Sequence, residues 1–182
     1  MIDYQNDFVD PKGALYVPGV EKLYEKIVAL IDQFDQNGDL VIATKDFHPN
    51  NHCSFAKWGS HCIANTFGSE LYKLTTSQFD HIILKGTQQD FDSYSGFFSD
   101  NHTSNGLHEF LQEHKVTNLV IVGVATDVCI SVTLLDAIKL NYHGIIYLNA
   151  SAGLKPQIIF LKKLLWINNI IVFLKIIITI NY

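Results

Sequence analysis

The chain has 182 residues, of which 48% are hydrophobic and 17% charged, and its formal net charge is −5. This supports a single domain over residues 1–182 with one buried core, and it excludes extensive disorder. All 13 basic residues are lysines and none lie in a long run. Nucleic acid is therefore not an expected partner, because phosphate binding needs clustered positive charge. The three cysteines, Cys53, Cys62 and Cys129, are too few for a disulfide scaffold and fit a reducing, cytoplasmic setting. The opening residues carry no basic stretch followed by an apolar run, so no secretory signal is expected.

In chain order, Leu23, Ile27, Leu30, Ile31 and Phe34 recur at helical spacing and predict a helix over Val20–Phe34. The Asn37-Gly38 pair marks a turn. Val41–Thr44 and His81–Leu84 read as buried strands, and the polar stretch Ser93–Asn105 as a loop of the kind that lines a site. A helix follows over Gly106–His114, a strand over Asn118–Gly123, a helix over Asp127–Leu140 and a strand over Gly144–Leu148. Strands alternating with helices predict an α/β fold: three layers, α/β/α, around a central mostly parallel sheet. Ligands in such sheets bind beyond the carboxyl ends of the strands.

The last segment, Lys155–Tyr182, is atypical: rich in Ile, Leu, Lys and Asn, with no acidic residue. It reads as a degenerate helix (about 156–167) and strand (about 170–180), or as the product of a shifted reading frame. A membrane anchor is disfavoured, because Lys162, Lys163, Asn168, Asn169 and Lys175 leave no apolar run of the roughly 20 residues a span requires.

Three constellations carry chemistry. Asp46 and His48 follow a strand end at a spacing of two and can face one cation; His61 can supply a third ligand from Trp58-Gly59-Ser60-His61-Cys62. One carboxylate with imidazoles suits zinc, iron or manganese. A structural zinc site using Cys53 or Cys62 is a weaker variant, since adjacent residues on an extended chain point apart. Second, Gly123–Cys129 leads from a strand into a helix. A cysteine in the first helical turn feels the positive end of the macrodipole, and the turn's N–H groups can hold an oxyanion. Third, Asp3 and Lys85 each end a strand. Taken singly, these residues have plainer readings as hydrogen-bonded loop histidines, a core thiol and surface charges.

Together the segments resemble the nicotinamidase/pyrazinamidase branch of the isochorismatase-like cysteine hydrolases. Asp3-Tyr-Gln-Asn-Asp-Phe8 is similar to their opening motif, and Asp46-Phe-His48-Pro-x-Asn-His52 to their metal motif. Lys85 with Tyr94-Ser-Gly-Phe97 is similar to their lysine segment, and Gly123-Val-Ala-Thr-Asp-x-Cys129 to their nucleophile turn. The resemblance covers about residues 1–154. It implies hydrolysis of nicotinamide to nicotinate and ammonia in NAD salvage, through a thioester on Cys129. Asp3 would carry protons, Lys85 would hold the charges, and the N–H groups of Ala125 and Cys129 would form the oxyanion hole after a cis Val124–Ala125 peptide. Asp46, His48 and His61 would bind one divalent metal, zinc first, with His52 as a fourth ligand or a neighbour of the ligands. Phe8, Trp58 and Tyr94 would wall the substrate ring. The expected partner is this small molecule; a homo-oligomer is left open. The alternatives are another hydrolase of the superfamily and an inactive remnant from a truncated or mis-started chain.

The remnant reading has a structural motive. The resemblance implies a full apolar strand ahead of Asp3, of which Met1 and Ile2 are the part present. A central strand cut that short is expected to leave its neighbours with unpaired backbone groups, at about 1–3 kcal/mol for each one buried.

Overall fold

The computed structural model describes residues 1–155. It contains four strands: β1 (Ile42–Asp46), β2 (His81–Lys85), β3 (Asn118–Val124) and β4 (His143–Ala152). The helices are α1 (Asn6–Val9), α2 (Tyr24–Gln36), α3 (Phe55–Trp58), α4 (Leu107–Glu113) and α5 (Cys129–Lys139). The helix expected from Val20 begins as a 3-10 turn over Val20–Leu23, entered through Gly19 at φ 86°, and becomes α-helical at Tyr24.

β1 pairs in parallel with β2, from Ile42 opposite His81 to Asp46 opposite Lys85, and β3 pairs in parallel with β4. Met1–Asp3 stitch the two pairs together. Ile2 N–H donates to Val122 O (2.8 Å), and Val124 N–H donates to Ile2 O (3.0 Å). On the other edge, Thr44 N–H donates to Met1 O (2.9 Å) and Asp3 N–H to Thr44 O (3.2 Å). The unpaired neighbours expected of so short a segment are therefore not found over Ile42–Thr44 of β1 and Val122–Val124 of β3.

Side-chain alternation sends successive strand residues to opposite layers. Ala43, Val122 and Val124 face the cluster containing Ile27 and Ile31 of α2. Ile121 packs with Ile130 and Leu134 of α5, and Ile83 with Leu107 and Leu111 of α4. Each such fully buried aliphatic side chain contributes about 1.5–3 kcal/mol. The expected α/β class holds, with helices on both faces of parallel strands. No helix among the described residues is long and apolar enough to cross a membrane. The alternative readings of residues 156–182 lie outside the described residues.

β1 runs two residues beyond its expected end, so Asp46 is the last residue of a strand instead of the first of a loop. Its pairing opposite Lys85 follows from that extension. Gly123 sits at φ 117° beside a register shift in β3, and a Cβ there would collide with the Ile2 backbone. Gly123→Ala is expected to lower stability by about 2 kcal/mol or more. Urea denaturation checks this, and an unchanged midpoint would contradict the close approach of Ile2 to β3.

Candidate active site

The strand ends place four ionisable side chains together. Asp46 and Lys85 finish neighbouring strands, Asp3 follows the short central segment, and Cys129 opens α5 after β3. The Lys85 Nζ lies 2.9 Å from Asp3 Oδ2 and 3.7 Å from Cys129 Sγ, and it donates to Asp46 Oδ1 and to Ser93 O (2.9 Å). All four side chains are buried. Asp3 Oδ1 accepts from the Thr44 hydroxyl at 2.6 Å. Asp3 Oδ2 is within ion-pair distance of Lys85, but off the line required for a hydrogen bond, and has no hydrogen-bond partner among the described residues.

Burial and charge compete here. Burial works to lower the Lys85 pKa; Asp3, Asp46 and Cys129 outweigh it and hold the ammonium well above its ordinary value. For Asp46, burial pulls upward and the Lys85 cation prevails, so the carboxylate is held well below its usual range. Burial raises the Asp3 carboxyl against the pull of Lys85. Burial also pushes the Cys129 thiol well above its ordinary value, again opposed by Lys85. Desolvation is thus the larger influence on this thiol, ahead of the opposing Lys85 cation.

Next to this cluster, ligand atoms of Asp46, His48 and His61 lie within 4.8 Å of one another, all buried. His48 Nδ1 pairs with Gly86 O and His61 Nδ1 with Gly59 O, both at 2.8 Å. A carbonyl accepts only, so both Nδ1 atoms carry the hydrogen and both Nε2 lone pairs are free. The His48 Nε2 is buried without a hydrogen-bond partner among the described residues, 3.7 Å from Asp46 Oδ2. Such an orphan beside a carboxylate fits a cation site.

His52 differs. Its Nδ1 accepts from Ser54 N–H (3.3 Å), and its Nε2 faces Phe91 O (3.2 Å). Both nitrogens are engaged, and its ring stacks on His48 with centroids 4.0 Å apart. A second group able to hold a cation combines His48, His52 and Asp92. Cys53 is exposed, and Cys62 is buried with its sulfur toward Gly68 O. Neither joins a metal-capable group among the described residues, so the cysteine-containing variant fails.

Asp3, Asp46, His61, Cys129, Phe8, Trp58 and Tyr94 line one cavity of about 290 Å³. Phe8 contacts the His61 ring, and the Trp58 indole N–H donates to the Tyr94 hydroxyl at 3.0 Å. The Val124–Ala125 peptide is cis. In the turn that follows, Val128 and Ile130 N–H both donate to Ala125 O, and Thr126 N–H donates to Ala152 O. None of these bonds uses the N–H of Ala125 or Cys129, both of which border the cavity.

Several positioning residues are not evident from the sequence. Gln5, fully buried, donates to Asp46 O (2.8 Å) and Ser69 O (2.9 Å) and accepts from Asp46 N–H (2.8 Å). Asp7 Oδ2 accepts from Cys62 N–H at 2.7 Å and so fixes the segment carrying His61. Their presence inside Asp3–Phe8 is the signal that could have found them.

The free lone pairs predict that His61→Ala weakens zinc binding at least about tenfold, while His52→Gln changes it little. Metal titration with a competing chelator measures both, and equal losses would make His52 a ligand. Lys85→Met removes the cation opposing desolvation of Cys129, so the thiol pKa should rise further. Iodoacetamide should then alkylate Cys129 at least about tenfold more slowly at neutral pH; an unchanged rate contradicts the balance of charges described.

Comparison with known proteins places this geometry in context. The isochorismatase domain model matches residues 1–158. A nicotinamidase of Escherichia coli is 32% identical, over 86% of this chain and 83% of its own length. The structure of PnC1 from L. infantum in complex with nicotinate superposes with a TM-score of 0.82 at 32% identity, covering 90% of this chain and 85% of that one. The pyrazinamidase of Pyrococcus horikoshii in complex with zinc also gives 0.82, at 35% identity, covering 90% of this chain and 91% of that one. With its strand-end cluster and this domain match over most of its length, the chain belongs to the isochorismatase family.

Proposed function

We propose that this chain is a nicotinamidase: it hydrolyses the carboxamide of nicotinamide to nicotinate and ammonia, a step of NAD salvage, and acts on pyrazinamide as well. The observation that carries the reading is a thiol and a carboxylate that line an aromatic-walled cavity, joined by one buried ammonium, beside an Asp/His/His set. The E. coli nicotinamidase and the nicotinate complex from L. infantum support the substrate class.

An amide is a weak electrophile with a poor leaving group, so it demands a strong nucleophile, an oxyanion site and an acid. Asp3 takes the Cys129 proton as the sulfur attacks the carboxamide carbon. The N–H groups of Ala125 and Cys129 hold the oxyanion, and Lys85 balances the charge of Asp3 throughout. Asp3 returns the proton to nitrogen as the C–N bond breaks, releasing ammonia and leaving a thioester. Water then adds with Asp3 as base; the C–S bond breaks and the thiol regains its proton. Phe8, Trp58 and Tyr94 wall the flat ring. Asp46, His48 and His61 are the residues that would hold a divalent cation, with zinc favoured over iron or manganese by analogy with the P. horikoshii protein. When bound, that cation supplies a Lewis-acid contact for the ring nitrogen.

The test is ammonia and nicotinate release from nicotinamide by purified, zinc-loaded protein. Turnover is expected; none from a cooperatively folded, loaded protein would refute the proposal. Cys129→Ala should lower turnover by at least about 10³-fold and keep its metal. Loss of metal in that variant would contradict the separation of nucleophile from metal ligands.

A further inference from the structure

A carboxylate has two oxygens, and a proton carrier works best when the correct one faces the nucleophile. At Asp3 the two are unequal. Oδ1 accepts from Thr44 Oγ1 at 2.6 Å, while Oδ2 lies on the Lys85 side with no hydrogen-bond donor among the described residues. Thr44 Oγ1 also accepts from the Asp3 backbone N–H at 3.2 Å. The hydroxyl therefore clamps the backbone and the side chain of Asp3 at once, across a sequence separation of 41 residues. Thr44 is 2% exposed, so this contact is shielded from solvent. Asp3 holds φ 47°, a conformation uncommon for a non-glycine residue, and this second anchor helps keep it there.

We propose that Thr44 is a positioning residue for the proton transfers: its hydroxyl immobilises Asp3 Oδ1, so that Oδ2 alone exchanges protons with Cys129 and with the departing nitrogen. This rests on the function proposed above. Without the hydroxyl, the Lys85 ion pair alone restrains rotation of the carboxylate about its Cβ–Cγ bond, and a proton carried on the wrong oxygen points away from the sulfur. Ground-state binding of the ring involves other residues and should be unaffected. The loss therefore falls on kcat and leaves KM in place.

The experiment compares wild type with Thr44→Val, Thr44→Ala and Thr44→Ser, each zinc-loaded and assayed on nicotinamide. Both hydroxyl-free variants should lose about tenfold or more in kcat, with KM changed less than about twofold and zinc content unchanged. Thr44→Ser should return to within about threefold of wild type, since it restores the donor. The alanine variant relieves any steric demand of valine, so folding of either one suffices. Wild-type kcat in a hydroxyl-free variant, or a serine variant as slow as those lacking the hydroxyl, overturns the proposal. If the wild type itself fails to turn over nicotinamide, the function is refuted instead. Alkylation of Cys129 then still decides the role of Thr44: slower alkylation in the hydroxyl-free variants, rescued in Thr44→Ser, supports it, and equal rates in all four proteins refute it.

Discussion

The buried ammonium of Lys85 is the interaction on which the rest of the site depends. It is enclosed by two carboxylates and a thiol, and it supplies the positive charge at their meeting point. Two carboxylates could not remain ionised so close together in a desolvated space without it. Removing one partner of such a buried group costs about 3–5 kcal/mol, because the others are left charged and unpaired. Lys85 also joins the two halves of the site, since Asp46 belongs to the cation set and Asp3 to the thiol.

The fold makes this junction by strand register. Lys85 and Asp46 are paired on adjacent parallel strands, so both side chains leave the sheet at one edge. Asp3 enters beside them because Met1–Asp3 bond to β1 and β3 on either side. Gln5 then bonds the backbone of Asp46 through both its amide oxygen and nitrogen, fixing the carboxylate's base. Backbone pairing thus does most of the positioning, and the side chains converge with few rotatable bonds left to restrain.

Much of this was legible in the sequence. Apolar runs gave the four strands, and the nucleophile, lysine, carboxylates and histidines stood out as motifs at strand ends. What was not legible depends on distant contacts. Thr44 looked like an ordinary buried strand residue, and its bond to Asp3 spans 41 positions. Asp7 reaches Cys62 across 55 positions, which no local pattern reveals. His52 fits a ligand spacing as well as His48 does; only the partners of its two nitrogens set it apart. The surroundings of Cys129 were hidden for a related reason. A helix start is visible in a sequence, whereas burial is not, and burial is the stronger influence on this thiol.

The central claim is that the Cys129 sulfur, set among Asp3 and Lys85, bonds to the acyl carbon of the substrate. Acid quenching of the protein during turnover of nicotinamide, followed by peptide mass analysis, tests it directly. A nicotinoyl group carried on the peptide containing Cys129 is the predicted result. Nicotinate formation with no acylated intermediate at any quench time, or acylation at another residue, would contradict it.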